Sequence, residues 1–330
     1  MAQQRSVAVV GGGVSGLTLA RSLTRWGMDV RVFDKGRGPG GRASTRREGE
    51  RRFDHGAQYF TARDERFRRE LATWIAEGVA AEWEGRIAVL SSDGISLRDK
   101  PLPRYVGVPG MSAIVKRLAQ DSNVEFGVRI GRLRRRGETW LLSDDSGQDI
   151  SSFDSVVVAL PAEQASDLLG TAEAPFVERI RRVTSDPSWA VLASFDERLP
   201  VDFDGAFVDG SSVAWVSRDS SKPGRGGGER WVIHATAEWS RANLEEDQEG
   251  VAIELLAAFF EAAGLPPRDA EFLTAHRWRY AKVDQPLDDG CFWDAELSLG
   301  VCGDWCHRCR VEGAYLSGLL LAERMLDGWR

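Results

Sequence analysis

The spacing of apolar and polar residues predicts a strand, a helix and a second strand at the start of the chain. Residues 7–10 form a short run of valine and alanine, which is typical of a strand buried on both faces. Apolar residues then recur at roughly helical spacing between residues 17 and 23, and Gly27 provides a C-terminal stop. Residues 29–33 alternate like a second strand, which ends at Asp34. This order is typical of an α/β domain with a parallel sheet.

Two later segments are predicted to rejoin this sheet. Residues 156–160 form an apolar strand, and residues 299–302 form another that leads into Gly303 and Asp304, followed by a helix to about residue 326. The segment between them is predicted to form a mixed or antiparallel sheet. Its expected elements are strands at 188–195 and 231–236, a helix at 247–263, and a mobile glycine- and serine-rich loop at 219–229.

Composition and charge exclude several classes of protein. With 42% hydrophobic and 28% charged residues, the chain has the composition of a globular protein with a sizeable core. A net charge of −7 disfavours nucleic acid as a partner, and the arginine run at residues 134–136 is interpreted as a solvated turn. Four cysteines are too few for a disulfide scaffold, which favours a cytoplasmic location. No apolar run approaches the ~18–20 residues of a membrane span, so no membrane partner is expected.

A glycine motif joins the first strand to the first helix. It has the form Gly-x-Gly-x-x-Gly and consists of Gly11, Gly12, Gly13, Val14, Ser15 and Gly16. Gly11 permits a tight turn, Gly13 lets a pyrophosphate approach the backbone, and Gly16 lets helix and strand pack closely. The helix N-terminus offers N–H groups to the phosphates, and Asp34 is placed to bind a ribose diol. This motif predicts a dinucleotide site without separating NAD from FAD.

A second glycine loop after Asp34 favours FAD. Gly40 and Gly41 let the main chain touch a cofactor, and Arg42 can neutralise its phosphates. The sequence Arg-Gly-x-Gly-Gly-Arg at residues 37–42 resembles the loop of glutathione-reductase-like and amine-oxidase flavoproteins, and the Gly303-Asp304 pair resembles their closing motif. The helix that follows would direct its positive N-terminus at the N1–C2=O edge of a reduced flavin. We therefore expect FAD, bound non-covalently.

These motifs predict a glutathione-reductase-like FAD-binding Rossmann domain with an inserted α+β substrate domain. At 330 residues the chain exceeds the usual single domain of ~100–150 residues. The FAD-binding domain is expected to be discontinuous, at residues 1–70, 105–165 and 291–330. The substrate domain is expected at residues 71–104 and 166–290, where it would roof the isoalloxazine ring.

Short sequence segments spread along most of the chain resemble those of bacterial renalases. They occupy residues 33–38, 56–63, 107–114, 221–225, 233–236, 239–241, 275–278 and 302–306. Departures from the expected family sequence are His55, where a methionine-like residue is expected, and the run at residues 307–309. The resemblance implies an FAD-dependent oxidase of the 2- and 6-dihydro isomers of β-NAD(P)H. Such an enzyme forms β-NAD(P)+ by hydride transfer to flavin N5, and dioxygen reoxidises the flavin to give hydrogen peroxide.

The candidate site residues follow from the motifs and from this resemblance. The expected cofactor contacts are Gly11, Gly13, Val14, Ser15, Gly16, Asp34, Lys35, Gly41, Arg42, Ala57, Gln58, Tyr59, Val128, Gly303, Asp304, Val311, Glu312, Gly313 and Ala314. Gln58 and Tyr59 are included because the family places that stretch against the flavin. The substrate-binding candidates are Trp215, His234, Trp239, His276, Trp278 and Arg279. No catalytic general base is expected, because a dihydropyridine becomes aromatic on losing hydride and is already a hydride donor.

Other functions stay open at this point. A flavin-dependent amine or polyene oxidase would share all the flavin motifs, and a non-catalytic protein could use FAD structurally or as a sensor. The spacing of Cys302, Cys306 and Cys309 is typical of an iron–sulfur triad, with His307 adding a zinc-like feature. Because this spacing overlaps the Gly-Asp flavin element, Cys302 and Cys306 are interpreted as buried hydrophobic residues, and no metal is expected.

Overall fold

The computed structural model describes residues 5–98, 102–172 and 174–329. The predicted domain segments also contain residues 1–4, 99–101, 173 and 330, which lie outside the described residues.

The helices and strands follow one another in an α/β order, then a mainly β order, and close on a long helix. The strands are β1 (Ser6–Val10), β2 (Asp29–Asp34), β3 (Arg46–Glu48), β4 (Arg51–Phe53), β5 (Ala80–Glu82), β6 (Ile87–Ser91), β7 (Gly94–Leu97), β8 (Tyr105–Gly107), β9 (Asn123–Phe126), β10 (Ile130–Arg136), β11 (Thr139–Asp144), β12 (Asp149–Phe153), β13 (Ser155–Val158), β14 (Ser185–Phe195), β15 (Gly205–Val208), β16 (Val213–Arg218), β17 (Glu229–Ala235), β18 (Phe272–Val283), β19 (Phe292–Asp294) and β20 (Leu299–Val301). The α-helices are α1 (Val14–Arg25), α2 (Glu65–Ala76), α3 (Ser112–Ala119), α4 (Ala162–Gly170), α5 (Val177–Ile180), α6 (Ala237–Ala242), α7 (Gln248–Ala262) and α8 (Val311–Gly328). Within the described part of the chain, none of these helices is long and apolar enough to cross a lipid bilayer.

The first large sheet carries the dinucleotide-binding topology. Its described strands lie in the order β19-β20-β13-β1-β2-β9, and only the β19–β20 pair is antiparallel. Val7 and Val9 of β1 pack into a core with α1, whereas Ala8 and Val10 pack into a second core shared with the sheet β10-β11-β12. Because both faces of β1 are covered, its residues read as a continuous apolar run.

The second large sheet is mixed. Among the described residues its strand order is β18-β14-β17-β16-β15-β6-β7, and only the β15–β6 pair is parallel. Helix α7 packs against one face, and Asp247 caps it by accepting hydrogen bonds from the N–H groups of Glu249 and Gly250. The predicted fold class, a Rossmann-like domain combined with a mixed sheet, is confirmed. The expected strands at 188–195 and 231–236 and the helix at 247–263 are also found.

The two sheets draw their strands from different parts of the chain. The first uses strands from residues 6–34, 123–126, 155–158 and 292–301, and the second uses strands from residues 87–97 and 185–283. The predicted domain boundaries stay a prediction, which this distribution supports.

The interpretation of the arginine run at residues 134–136 as a turn is wrong. These residues end strand β10 and pair with Leu141, Trp140 and Thr139 of β11, and the turn follows at Gly137. The charged side chains are held along the strand, because Arg134 donates to Asp149 and the Arg135 guanidinium stacks 5.5 Å from the Trp140 ring. Charge alone therefore concealed a strand.

Candidate functional site

A large cavity is lined by residues of both sheets. Its volume of about 1760 Å³ exceeds the ~300–1,000 Å³ typical of pockets for one small ligand. One end is formed at the carboxyl ends of β1, β2 and β13, where Gly11, Asp34 and Ala159 line the wall. Open α/β sheets bind ligands at this edge. The other end is lined by strands of the second sheet.

The glycines of the first motif have different roles in the structure. A Cβ on Gly11 would lie 2.4 Å from the Ala159 carbonyl oxygen, and a Cβ on Gly16 would lie 2.0 Å from the Gly11 carbonyl oxygen. Gly11 also has φ +114°, which disfavours other residues. A Cβ on Gly13 would meet no protein atom within 4 Å, and Gly13, Val14 and Ser15 line the cavity. The amino-terminal end of α1 is therefore open to an anionic ligand, as a pyrophosphate requires.

Asp34 organises the neighbouring loops. Its carboxylate accepts hydrogen bonds from the N–H groups of Gly12 and Gly36, each at 2.6 Å. A carboxylate has about four acceptor positions, so two are still free for a diol. Asp34 lines the cavity together with Lys35 and Val128.

Arg42 is paired with Asp304 across the cavity wall. Its Nη2 lies 2.6 Å from Asp304 Oδ1, and both residues line the cavity with Gly41 and Gly303. The other carboxylate oxygen of Asp304 accepts a hydrogen bond from the Cys309 thiol at 3.1 Å. Burial, together with the charge of Asp304, raises the pKa of Cys309 to about 12, so Cys309 stays a neutral donor. The loop at residues 37–42 and the closing Gly-Asp motif are thereby joined into one site.

The amino-terminal end of α8 also reaches the cavity, through Val311 and Ala314. The Glu312 carboxylate turns away to accept the N–H groups of Arg63 at 2.6 Å and Asp64 at 2.8 Å. A Cβ on Gly313 would lie 1.9 Å from the Arg308 carbonyl oxygen. Glu312 and Gly313 therefore position this helix end rather than line the cavity.

A row of side chains crosses the second sheet at the other end of the cavity. The strand register places five residues side by side on β15, β16, β17, β14 and β18: Phe207, Trp215, His234, Ala190 and His276. All except Ala190 line the cavity, and Trp278 and Tyr280 continue the same face of β18. We call the five residues on the five strands, Phe207, Trp215, His234, Ala190 and His276, the cross-strand row. The four of them that line the cavity, Phe207, Trp215, His234 and His276, present flat rings to it, which suits a planar ligand.

One imidazole and one indole contact the carbonyl group of His55, and a further imidazole packs against the His55 ring. His234 Nε2 lies 3.1 Å from this carbonyl oxygen, and Trp278 Nε1 donates to it at 2.8 Å. The His55 ring lies 4.7 Å from the His276 ring. Burial lowers the pKa of His55 to about 3 and that of His234 to about 4, and it also lowers the pKa of His276. These imidazoles are therefore neutral near pH 7.

Gln58 and Tyr59 lie behind the cavity wall, whereas Ala57 lines it. The Gln58 side-chain oxygen accepts from Ser217 Oγ at 2.6 Å and from Lys222 Nζ at 3.1 Å. The Tyr59 ring packs against Trp83 and Trp215. Their assignment as cofactor contacts stays a prediction, and the structure shows them supporting the loop that carries Ala57.

A buried charge network fixes the same loop. The side chains of Asp54, Asp219, Lys222 and Arg225 are fully buried; Lys222 Nζ lies 2.7 Å from Asp219, and Arg225 donates to Asp54. Removing one member would leave an uncompensated buried charge, which is strongly destabilising. In the sequence, residues 221–225 were recognised only as one of the segments that resemble bacterial renalases. Their pairing with Asp54 was missed, because it joins residues more than 160 positions apart.

The remaining candidates are divided between the cavity and its surroundings. Trp239 does not reach the cavity: its indole N–H donates to Glu254 at 3.1 Å, and its ring packs against the core under α7. Arg279 lines the cavity from its rim, where it is bonded to Glu245. Phe207 and Tyr280 were missed. Tyr280 was detectable, since it continues the alternation of His276 and Trp278.

The cysteines near Asp304 are buried thiols. Burial raises the pKa of Cys302 to about 12 and places that of Cys306 well above its ordinary value. In residues 5–98, 102–172 and 174–329, no three His, Cys, Asp or Glu side chains are grouped as metal ligands.

The fold and the cavity together define an FAD-dependent oxidoreductase. A family model described as flavin containing amine oxidoreductase matches residues 95–326, and one for an NAD(P)-binding Rossmann-like domain matches residues 9–73. The chain belongs to the flavin-containing amine oxidoreductase family, and its cofactor is FAD.

Known proteins resemble the chain in fold more than in sequence. A putative protoporphyrinogen oxidase from Exiguobacterium sp. 255-15 superposes with a TM-score of 0.76 at 13% identity, over 98% of this chain and 99% of that one. A putrescine oxidase with bound putrescine gives 0.68 at 13% identity over the same shares. A zeta-carotene-forming phytoene desaturase from Myxococcus xanthus is 52% identical over 42 residues, which span 13% of this chain and only 8% of that protein.

Proposed function

We propose that this flavoprotein oxidises 2- and 6-dihydro isomers of β-NAD(P)H to β-NAD(P)+. The donor carbon loses a hydride, and the ring becomes an aromatic pyridinium. Dioxygen and one proton take up the two electrons and the hydride hydrogen as hydrogen peroxide, which balances the reaction. FAD, when bound, supplies the hydride acceptor.

One observation carries this proposal: a single cavity connects a dinucleotide-binding edge to a row of flat rings. Gly13, Asp34 and Arg42 line the first end, and Trp215, His276 and Trp278 line the second. The volume of about 1760 Å³ leaves room for a second planar ligand beside FAD. The renalase-like sequence segments occur in the elements that form both ends of the cavity.

We assign FAD to the residues of the first end. Support comes from the open amino-terminal ends of α1 and α8, the Asp34 carboxylate and the Arg42–Asp304 pair, which all border the same cavity. The residues at 71–104 and 166–290 would then form the substrate domain. Binding without a covalent bond is part of this assignment.

The charge at the cavity rim suits an anionic substrate. Arg277 and Arg279 both line the cavity, and both bind the Glu245 carboxylate at 2.6–3.0 Å. An anion already lies against this pair, so a substrate pyrophosphate could replace the carboxylate.

The chemistry asks for positioning more than for proton removal. Holding the donor carbon in contact with its acceptor, at ~3–3.5 Å, supplies the main acceleration. The neutral imidazoles of His234 and His276, which line the cavity, fit this role as polar walls. We propose no general base.

A flavin-dependent amine or polyene oxidase is the second candidate. The family match favours it, and so do the putrescine oxidase and phytoene desaturase among the similar proteins. The arginines at the rim disfavour a cationic amine.

Anaerobic stopped-flow mixing of the yellow holoprotein with each donor separates these functions. Rapid bleaching of the flavin by 2- or 6-dihydronicotinamide dinucleotides, but not by 4-dihydro NADH, is expected. Bleaching by amines or polyenes alone would select the second candidate. No bleaching by any donor would indicate a non-catalytic flavoprotein.

A further inference from the structure

We propose that His234 determines specificity by accepting a hydrogen bond from an N–H group on the substrate ring, such as a carboxamide. This inference rests on the proposed function for the identity of the ring. It assigns to one nitrogen atom the recognition of one chemical group.

The tautomer of His234 is fixed by its partner. Its Nε2 lies 3.1 Å from the His55 carbonyl oxygen, which can only accept a hydrogen bond. Nε2 must therefore carry the hydrogen, and in the neutral ring Nδ1 is then a lone-pair acceptor. Burial lowers the pKa of His234 to about 4, which keeps Nδ1 unprotonated near neutral pH.

Nδ1 opens onto the cavity. It has no hydrogen-bond partner among the described residues. It is also not among the solvent-inaccessible side-chain atoms that lack a partner, so it is accessible. His234 lines the cavity, so the accessible nitrogen faces the ligand space. The His55 Nδ1 atom differs, because it is inaccessible to solvent and has no hydrogen-bond partner among the described residues.

The neighbours of His234 put the ligand space on one side of its ring. Ala190, the next residue on one side in the cross-strand row, is fully buried and does not line the cavity. Trp215, the next residue on the other side, lines the cavity together with His234. A planar ring stacked against Trp215 would bring an edge substituent to Nδ1.

An acceptor that cannot donate discriminates between similar substituents. A carboxamide offers N–H groups, whereas an acetyl group offers only acceptors and a carboxylate adds a repelled negative charge. A site built around a hydrogen bond rejects analogues that leave its polar group unpaired. The carboxamide should therefore be favoured over both alternatives.

The test uses the FAD-loaded protein with benzamide, acetophenone and benzoate as ring probes. Each probe is titrated while the visible flavin spectrum is recorded, so no turnover is needed. Benzamide should bind about 10-fold more tightly than acetophenone, as one hydrogen bond allows, and benzoate should bind more weakly than benzamide.

Two variants locate the preference. His234→Leu should reduce the benzamide preference to within about twofold, because the acceptor is gone. His234→Gln should retain part of it, because the amide oxygen can accept. The matched control His276→Leu, which removes another imidazole of the cross-strand row that lines the cavity, should weaken both probes and keep their ratio.

The outcomes separate this inference from the proposed function. Equal binding of benzamide and acetophenone by the unaltered protein, no spectral change with any probe, or a preference that survives in His234→Leu would overturn the inference, even if dihydro isomers bleach the flavin. The expected pattern would support it even if they do not. If His234→Leu fails to retain FAD, the ratio in the unaltered protein and in His234→Gln decides.

Discussion

The two ends of the cavity are built in different ways. At the cofactor end, the main contacts come from short contiguous stretches, such as residues 11–16 and the loop at 37–42. At the substrate end, the cross-strand row takes one residue from each of five strands. These residues are spread along the sequence from Ala190 to His276. Backbone groups form much of the first end, whereas side chains form the second. The first end can therefore be recognised as a motif, and the second only as a product of strand register.

The largest expected effect separates two glycines of the first motif. Gly16→Ala should destabilise the folded apoprotein by at least ~3 kcal/mol, because its Cβ would overlap a backbone oxygen that cannot move away. Gly13→Ala should leave apoprotein stability within ~0.5 kcal/mol and lose FAD affinity, because its Cβ enters the cavity. Urea denaturation of the apoproteins and flavin titration measure the two effects. Equal stability loss in both variants would contradict these separate roles.

At the substrate end, His55 should make the protein sensitive to acid. Its pKa is about 3 in the folded protein and 6.5 when unperturbed, so the unfolded chain binds more protons between these values. The contribution of neutral His55 to the free energy of unfolding is then fully present above pH 6.5 and falls by roughly 1.4 kcal/mol per pH unit from there down to about pH 3.

Replacing His55 by the methionine-like residue expected in the family should remove this loss. Urea denaturation of His55→Met and the unaltered protein at pH 7, 5.5 and 4.5 gives the comparison. The variant should gain about 2–3 kcal/mol relative to the unaltered protein between pH 7 and 4.5. Parallel pH profiles would show that this imidazole is not held neutral.

A smaller effect is expected for the acid at the end of β2. Asp34→Ala should weaken FAD binding by about 1.5–3 kcal/mol, through loss of hydrogen bonds to a charged group. The structure adds a cause, since Asp34 also holds the N–H groups of Gly12 and Gly36. Asp29→Ala, at the exposed start of the same strand, is the matched control and should bind FAD normally. Unchanged affinity in Asp34→Ala would remove Asp34 from the site.

The sequence was sufficient for the fold class and for many residues that line the first end of the cavity, whose contact with FAD stays a prediction. Gly11, Gly13 and Asp34 act through local backbone geometry, which spacing along the chain reports directly. Phe207 was missed because only the pairing of β15 with β16 brings it beside Trp215. Trp239 was included for its ring, but its position on α6 turns that ring towards α7. Such errors arise where tertiary contacts decide the direction of a side chain.

The smallest effect is expected at the cysteine nearest Asp304. Cys309→Ser keeps a hydrogen-bond donor beside the carboxylate, so flavin content and turnover should change little. Absorbance of the released flavin and metal analysis by mass spectrometry provide the measurement. Loss of stoichiometric iron or zinc together with activity would show that the cysteines bind a metal after all.

The central claim is that the substrate end positions a hydride donor and removes no proton. Anaerobic stopped-flow measurement of flavin reduction by a dihydronicotinamide isomer, in His234→Asn, His276→Asn and Arg279→Gln, tests it most directly. The account predicts that each replacement raises the apparent dissociation constant of the donor more than it slows reduction at saturation. A loss of ~10²–10⁴-fold in the saturated reduction rate, with a titrating pKa abolished, is the signature of a general base and would contradict the claim.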